Sequence, residues 1–66
     1  MNLIINDVSH LFDQALTLSQ LLEKMNLEQP GSALAVNQVI IPRHHWPAHW
    51  LKDGDNILLF QAIAGG

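Results

Sequence analysis

The 66-residue sequence has room for one domain, 1–66, and its 48% of hydrophobic residues is enough for a small globular core. It has no cysteine, which excludes disulfides, thiolate metal sites and a thiol nucleophile, and its three basic residues are scattered at a net charge of −3, which argues against nucleic-acid binding. No apolar run approaches the ~20 residues of a membrane span and the start lacks the basic segment of a signal peptide, so we expect a cytoplasmic protein.

The chain opens with a pattern typical of a β-hairpin. Strands are expected over 2–6 and 8–12, and His10 is expected to be an ordinary strand residue. Asn6 and Asp7 are predicted to form the turn between the strands, because both residue types bond the nearby backbone and tolerate left-handed conformations.

One helix is predicted after the hairpin. Thr17 and Gln20 have the spacing of a capping box, which indicates that the helix begins after Thr17 and runs over 18–26. Apolar residues at helical spacing form one stripe, which we expect to be core: Leu18, Leu21, Leu22 and Met25.

Three further strands are predicted in the second half. Two short ones, 33–37 and 39–41, are followed by Pro42, which cannot donate to a strand ladder. The last strand is expected over 56–63, after a turn at 53–55. The two carboxylates of that turn have no nucleophile to serve, so we interpret it as a solvated turn rather than an acid–base pair.

The stretch 43–52 is rich in histidine and tryptophan, and we expect a short helical turn interrupted near Pro47. Trp46 and Trp50 are expected to pack as a satellite of the core. Metal binding is not favoured, since Pro47 interrupts the turn and no carboxylate lies within it. The three histidines that could have served as ligands are therefore expected to be surface or half-buried side chains: His44, His45 and His49.

This order of elements predicts an α+β fold. A single helix covers only one face of a four- or five-stranded sheet, so the other face is left open to solvent or to a partner. A strand that follows the helix and runs parallel to the first strand needs a crossover connection, which the helix supplies.

Several short features occur together along the chain: an early strand ending in Asn6-Asp7, the strand pair 33–43 with Trp46 three residues on, the Asp53-Gly54-Asp55 turn, and the ending 57–66 with its terminal Gly-Gly. In this combination the chain resembles the thiamine-biosynthesis sulfur carrier family, ThiS. The resemblance implies a ubiquitin-like β-grasp roll, with a mixed four- to five-stranded sheet packed on one helix. It also implies a flexible C-terminal tail, 62–66.

The resemblance further implies that chemistry takes place on the terminal carboxylate of Gly66, with Gly65 and Ala64 as the tail leading to it. An E1-like, ThiF-like adenylyltransferase would activate this carboxylate with ATP and magnesium. A cysteine desulfurase or persulfide protein would supply sulfur, and a ThiG-like thiazole synthase would receive it from the thiocarboxylate. The chain itself would be a protein cosubstrate without its own catalytic residues or cofactor. The glycines, which lack a Cβ, would let the tail enter a narrow channel of the partner enzyme.

By the same likeness, Ile57 and Leu59 would face the helix, which places Leu58 and Phe60 on the open face. For Phe60, cover by residues 43–52 is the alternative to partner docking. The predicted partner-binding residues are Leu58, Phe60, Ile63 and Arg43. A solvated Arg43 without a partner contact is an equal alternative for that side chain. Two functional alternatives stay open: a carrier like the small subunit of molybdopterin synthase, and a ubiquitin-like interaction module without tail chemistry.

Overall fold

A computed structural model describes residues 1–61, which form a five-stranded mixed sheet with one α-helix on one of its faces. The order across the sheet is β2-β1-β5-β3-β4, with β1 and β5 parallel and the other neighbours antiparallel. In chain order the elements are β1 Asn2–Ile5, β2 Val8–Leu11, α1 Leu18–Lys24, β3 Ser32–Val36, β4 Val39–Ile40, a 3₁₀ helix Arg43–Ala48, and β5 Asn56–Gln61.

The two hairpins turn where polar residues accept left-handed backbone. Asn6 and Asp7 have φ of 49° and 69°, and Asn37 and Gln38 have φ of 51° and 72°. Positive φ at both central residues matches the twist of the flanking strands, which explains why each hairpin needs only two turn residues. The predicted first hairpin is therefore confirmed. The strand parallel to β1 is β5, whereas β3, which directly follows the helix, runs antiparallel to β5.

The predicted capping box is present at the start of α1. The backbone N–H of Gln20 donates to Oγ1 of Thr17 at 3.2 Å, and the Thr17 N–H donates to Oε1 of Gln20 at 3.0 Å. The helix ends at Lys24, two residues before the predicted end, because Asn26 adopts φ of 58° and breaks the helical path.

Among the described residues, no helix is both long and apolar enough to cross a membrane.

Replacing Thr17 with alanine is expected to destabilise the fold by about 1 kcal/mol, because loss of the buried Thr17 hydroxyl leaves the Gln20 backbone N–H without its acceptor. In a domain of this size that corresponds to a fall in Tm of about 4–8 °C, measurable by circular dichroism. Ser19→Ala is the matched control, since it removes a hydroxyl from the same turn but not from the cap. Equal Tm values for the two variants would contradict the capping account.

The core lies between the sheet and the helical side, and it includes the whole predicted helical stripe except Met25, which is partly buried and packs against it. Trp46 is buried as expected, and its indole N–H donates to the Ile41 carbonyl at 2.8 Å. The expectation for Trp50 is wrong: its side chain is 57% exposed, because its backbone pairs with Thr17 and the next residue, Leu51, turns inward.

His44 and His45 in the 3₁₀ helix are exposed, with their rings 4.3 Å apart, and His49, directly after the helix, is half-buried. Residues 1–61 contain no group of three or more His, Cys, Asp or Glu side chains arranged to hold a metal ion.

Candidate functional site

Strand β5 is the structural centre of the candidate site, because it lies between β1 and β3 and leads towards the C terminus. Its side chains alternate as predicted. Ile57 is fully buried and Leu59 packs against the core, whereas Leu58 is 51% exposed and Phe60 is 39% exposed. The facing of these four side chains is therefore confirmed, and partner binding by Leu58 and Phe60 stays a prediction.

The open face of the sheet carries an apolar surface that extends from β5 across β3 to β4. Cα pairing places Ala35 directly opposite Leu58 on one side and Ile40 on the other, and it places Ala33 opposite Phe60. Opposite residues share a face, and alanines between larger side chains keep the surface shallow. We call this surface the open-face patch: Ala33, Ala35, Ile40, Leu58 and Phe60.

Ile40 belongs to this patch and is 58% exposed, although it is not among the predicted partner-binding residues. Part of this result can be inferred from the sequence. A two-residue turn at Asn37-Gln38 fixes the register of β3 and β4, and that register puts Ile40 on the same face as Ala35. The step from Ala35 to Leu58 requires the long-range pairing of β3 with β5, which no local pattern provides.

The start of β5 is held by a buried carboxylate. Asp55 is only 9% exposed; its two oxygens accept from the Asn37 side-chain amide at 3.0 Å and from the Lys52 backbone N–H at 2.8 Å. Asn37 in turn accepts from the Asn56 N–H at 3.0 Å. The expectation of a solvated turn is wrong for Asp55, because its carboxylate ties the β3–β4 turn to the start of β5.

The second half of β5 extends beyond the end of β1, its parallel neighbour. β1 pairs with β5 only as far as Ile5 opposite Ile57. Beyond that point the side-chain oxygen of Asn6 takes the place of a strand carbonyl and accepts from the Leu59 N–H at 2.9 Å. Asn6 therefore has two roles: its left-handed backbone forms the hairpin turn, and its side chain binds the backbone of β5.

Arg43 lies at the same end of the sheet as the end of β5. Its guanidinium donates to the backbone carbonyl of Gln29 at 3.1 Å and to that of Ser32 at 3.3 Å, and it lies 4.7 Å from the centre of the Trp46 ring. Ser32 is the β3 residue opposite Gln61. The structure thus brings Arg43 close to the end of β5 but engages its guanidinium within the chain. Pairing of Arg43 with an acidic partner group stays a prediction.

The sequence model of the ThiS family matches residues 3–66, which is nearly the whole chain. The chain belongs to the ThiS family. Among curated proteins it is 47% identical, over 66 residues and the full length of both chains, to the Escherichia coli (strain K12) protein named sulfur carrier protein ThiS.

Two solved structures of a ThiS thiamine biosynthesis protein from Geobacter metallireducens share the fold of this ThiS-family chain. The crystal structure superposes with a TM-score of 0.89 at 26% identity, with both chains covered completely. The solution structure gives a TM-score of 0.76 at 25% identity, covering this chain completely and 88% of the other. These likenesses confirm the predicted ubiquitin-like β-grasp fold, with five strands packed on one helix.

The remaining predicted site residues of this ThiS-family chain lie outside the described residues. They are Ile63, Ala64, Gly65 and the predicted modification site, Gly66. The predicted last strand, 56–63, is confirmed from Asn56 to Gln61. The fold therefore defines the strand from which the tail continues and the patch beside it, while the tail roles stay predictions.

Proposed function

We propose that the chain is a sulfur carrier whose C-terminal carboxylate, on Gly66, is adenylated and then converted to a thiocarboxylate that donates sulfur for the thiazole of thiamine. The observation that carries this proposal is the 47% identity to the E. coli sulfur carrier ThiS from one end of both chains to the other, because the alignment includes the terminal residues. The family match through residue 66 supports it independently.

The chemistry follows from the properties of a carboxylate, which is a poor acyl donor because its oxygen leaves badly. A Gly66 oxygen attacks the α-phosphate of ATP and pyrophosphate leaves, which makes an acyl adenylate. A persulfide sulfur then attacks the acyl carbon, and AMP leaves with the electrons of the C–O bond. A thiol next cleaves the resulting acyl disulfide by reducing its S–S bond, which frees the thiocarboxylate. Each step draws on a partner for nucleophile activation and charge stabilisation.

The chain's own contribution is recognition and presentation. The open-face patch offers apolar surface next to the end of β5, where an activating enzyme can bind while it takes up the tail. The partners in this proposal are an E1-like adenylyltransferase that uses ATP and magnesium, a persulfide donor, and a thiazole synthase. We place this exchange in the cytoplasm, and we assign the chain the role of cosubstrate rather than enzyme.

The proposal is tested by measuring pyrophosphate release from ATP when the chain is mixed with its E1-like enzyme. The full chain is expected to stimulate release, and the chain lacking Gly66 is not. An interaction module without tail chemistry predicts no difference between the two chains. The thiocarboxylated product is then offered separately to thiazole synthase and to the large subunit of molybdopterin synthase. Sulfur transfer to the molybdopterin synthase subunit alone would assign the chain to the molybdopterin pathway and not to thiamine biosynthesis.

A further inference from the structure

A continuous set of contacts connects the buried Trp46 to Gln61, the last described residue of β5. It begins with the Trp46 indole, which is fixed by its hydrogen bond to the Ile41 carbonyl. The Arg43 guanidinium lies over this ring at 4.7 Å, a distance at which a cation is attracted to the aromatic face. Trp46 thereby gives an exposed arginine a rigid support inside the chain.

The position of Arg43 follows from the point at which β4 stops. β4 ends at Ile40, opposite Ala35, and Pro42 has no N–H with which to continue the ladder. β4 therefore does not reach Ser32, whose carbonyl accepts from Arg43 at 3.3 Å instead. The planar guanidinium has several donors in fixed directions, which lets the same nitrogen also bind the Gln29 carbonyl at 3.1 Å.

Gln29 carries the connection to β5. Its backbone is held by Arg43 and by the turn in which the Ser32 N–H donates to the Gln29 carbonyl at 3.4 Å. Its side-chain oxygen accepts from the side-chain amide of Gln61 at 2.8 Å, between residues 32 positions apart. Because Gln61 directly precedes residues 62–66, this hydrogen bond is the last described side-chain contact before the tail.

We infer that Gln29 and Arg43 are positioning residues, which fix the end of β5 and so the point from which the tail starts towards the activating enzyme. This inference rests on the proposed function and gives Arg43 a role within the chain. Ordering a segment on binding costs conformational entropy. If the end of β5 is already fixed in the free chain, less conformational entropy is lost when residues 62–66 enter a partner's channel. The benefit is expected in binding and not in the chemical step at Gly66.

The first test uses the free, full chain and does not depend on any activity. Backbone amide order parameters of Phe60 and Gln61 are measured by ¹⁵N relaxation in three variants. Gln29→Met removes the acceptor and is expected to lower them measurably from about 0.85, the value typical of rigid backbone, while the pairing of β5 with β3 keeps them above about 0.6. Gln29→Glu keeps an acceptor oxygen and is expected to preserve them. Gln14→Met, an exposed glutamine in the β2–α1 connection, is the matched control.

The second test measures the kinetics of activation by the E1-like enzyme. Gln29→Met is expected to raise the KM for the carrier about fivefold, the effect of one lost hydrogen bond, with kcat unchanged. Arg43→Ala, which removes two hydrogen bonds and the contact with the indole, is expected to raise it by more than about tenfold. Lys52→Ala removes the same charge elsewhere and is expected to leave KM unchanged.

Unchanged order parameters in Gln29→Met, or the same loss in Gln14→Met, would overturn the inference. A KM for Gln29→Glu as high as that for Gln29→Met would also overturn it, because the acceptor would then have no role. Failure of the wild-type chain to be activated at all would instead contradict the proposed function, while the order parameters would still decide whether Gln29 fixes the end of β5.

Discussion

Gly66→Val is expected to lower the rate of thiocarboxylate formation by at least about 100-fold, the scale of loss that a misplaced reacting group produces. A valine side chain would crowd the acyl carbon from one side and widen the end of the tail. Glycine has no Cβ, so it can pass through a narrow channel and adopt backbone conformations that valine avoids. The rate is measured as thiocarboxylated protein formed per unit time with the activating enzyme, ATP and a sulfur donor.

Two comparisons make this result specific to the carboxyl end. Gly66→Ala adds a single methyl group and is expected to fall between the wild type and Gly66→Val. The Tm of Gly66→Val is expected to equal that of the wild type, because residue 66 lies five residues beyond the last described residue of β5. Thiocarboxylation of Gly66→Val at the wild-type rate would show that the steric account is wrong.

Phe60→Asp is the second large effect, and it is expected to weaken binding to the activating enzyme by about 30-fold or more, as for an aromatic hot spot. The substitution places a charge at the edge of the open-face patch nearest the end of β5, beside Leu58 and opposite Ala33. Phe60 is 39% exposed in the free chain, so aspartate can keep its charge in water and the fold is expected to survive. Binding is measured by titration calorimetry and folding by circular dichroism.

Ile57→Asp is the matched variant on the opposite face of the same strand. Ile57 is fully buried, and a carboxylate there has no partner to offset its desolvation. A chain of 66 residues has a stability of roughly 3–10 kcal/mol, so we expect Ile57→Asp to be unfolded. Unfolding of Phe60→Asp as well would identify Phe60 as a core residue. A folded Phe60→Asp that binds normally would remove the open-face patch from partner recognition.

The elements that the sequence predicted best are those written in short, local patterns. The capping box at Thr17 and Gln20 fixes the start of α1 because both of its hydrogen bonds lie within one turn. The alternation of Ile57 and Leu58 separates the two faces of β5 because side chains in a strand alternate strictly. Asn6 and Asp7 predict their hairpin because few residue types accept left-handed backbone.

The features that the sequence did not predict depend on contacts between distant segments. Asp55 is polar and lies in a turn; besides the local Lys52 N–H, its buried carboxylate is bound by Asn37, 18 residues away, and no local pattern predicts that contact. The sequence likewise does not indicate that the exposed Arg43 donates to the backbone carbonyls of Gln29 and Ser32, 14 and 11 residues away. Trp50 shows the opposite case, in which a residue typical of cores stays exposed because its backbone pairing with Thr17 directs it outward.

The site was therefore predicted in part. The open-face position of Leu58 and Phe60 followed from alternation once β5 had been assigned to a sheet covered on one face. Ile40 joins them only through the pairing of β4 with β3 and of β3 with β5. The role of Gly66 depends on the resemblance to the ThiS family, which the family match over residues 3–66 has shown to be membership.

The most direct test of the account is the intact mass of the full chain after co-expression with its E1-like enzyme and a persulfide donor. We predict a gain equal to the mass difference between one sulfur and one oxygen atom, located by fragmentation at Gly66 and absent when the enzyme is left out. An unchanged mass, with the cognate enzyme, ATP and sulfur donor all present and active, would contradict the proposal that this chain carries sulfur on its terminal carboxylate.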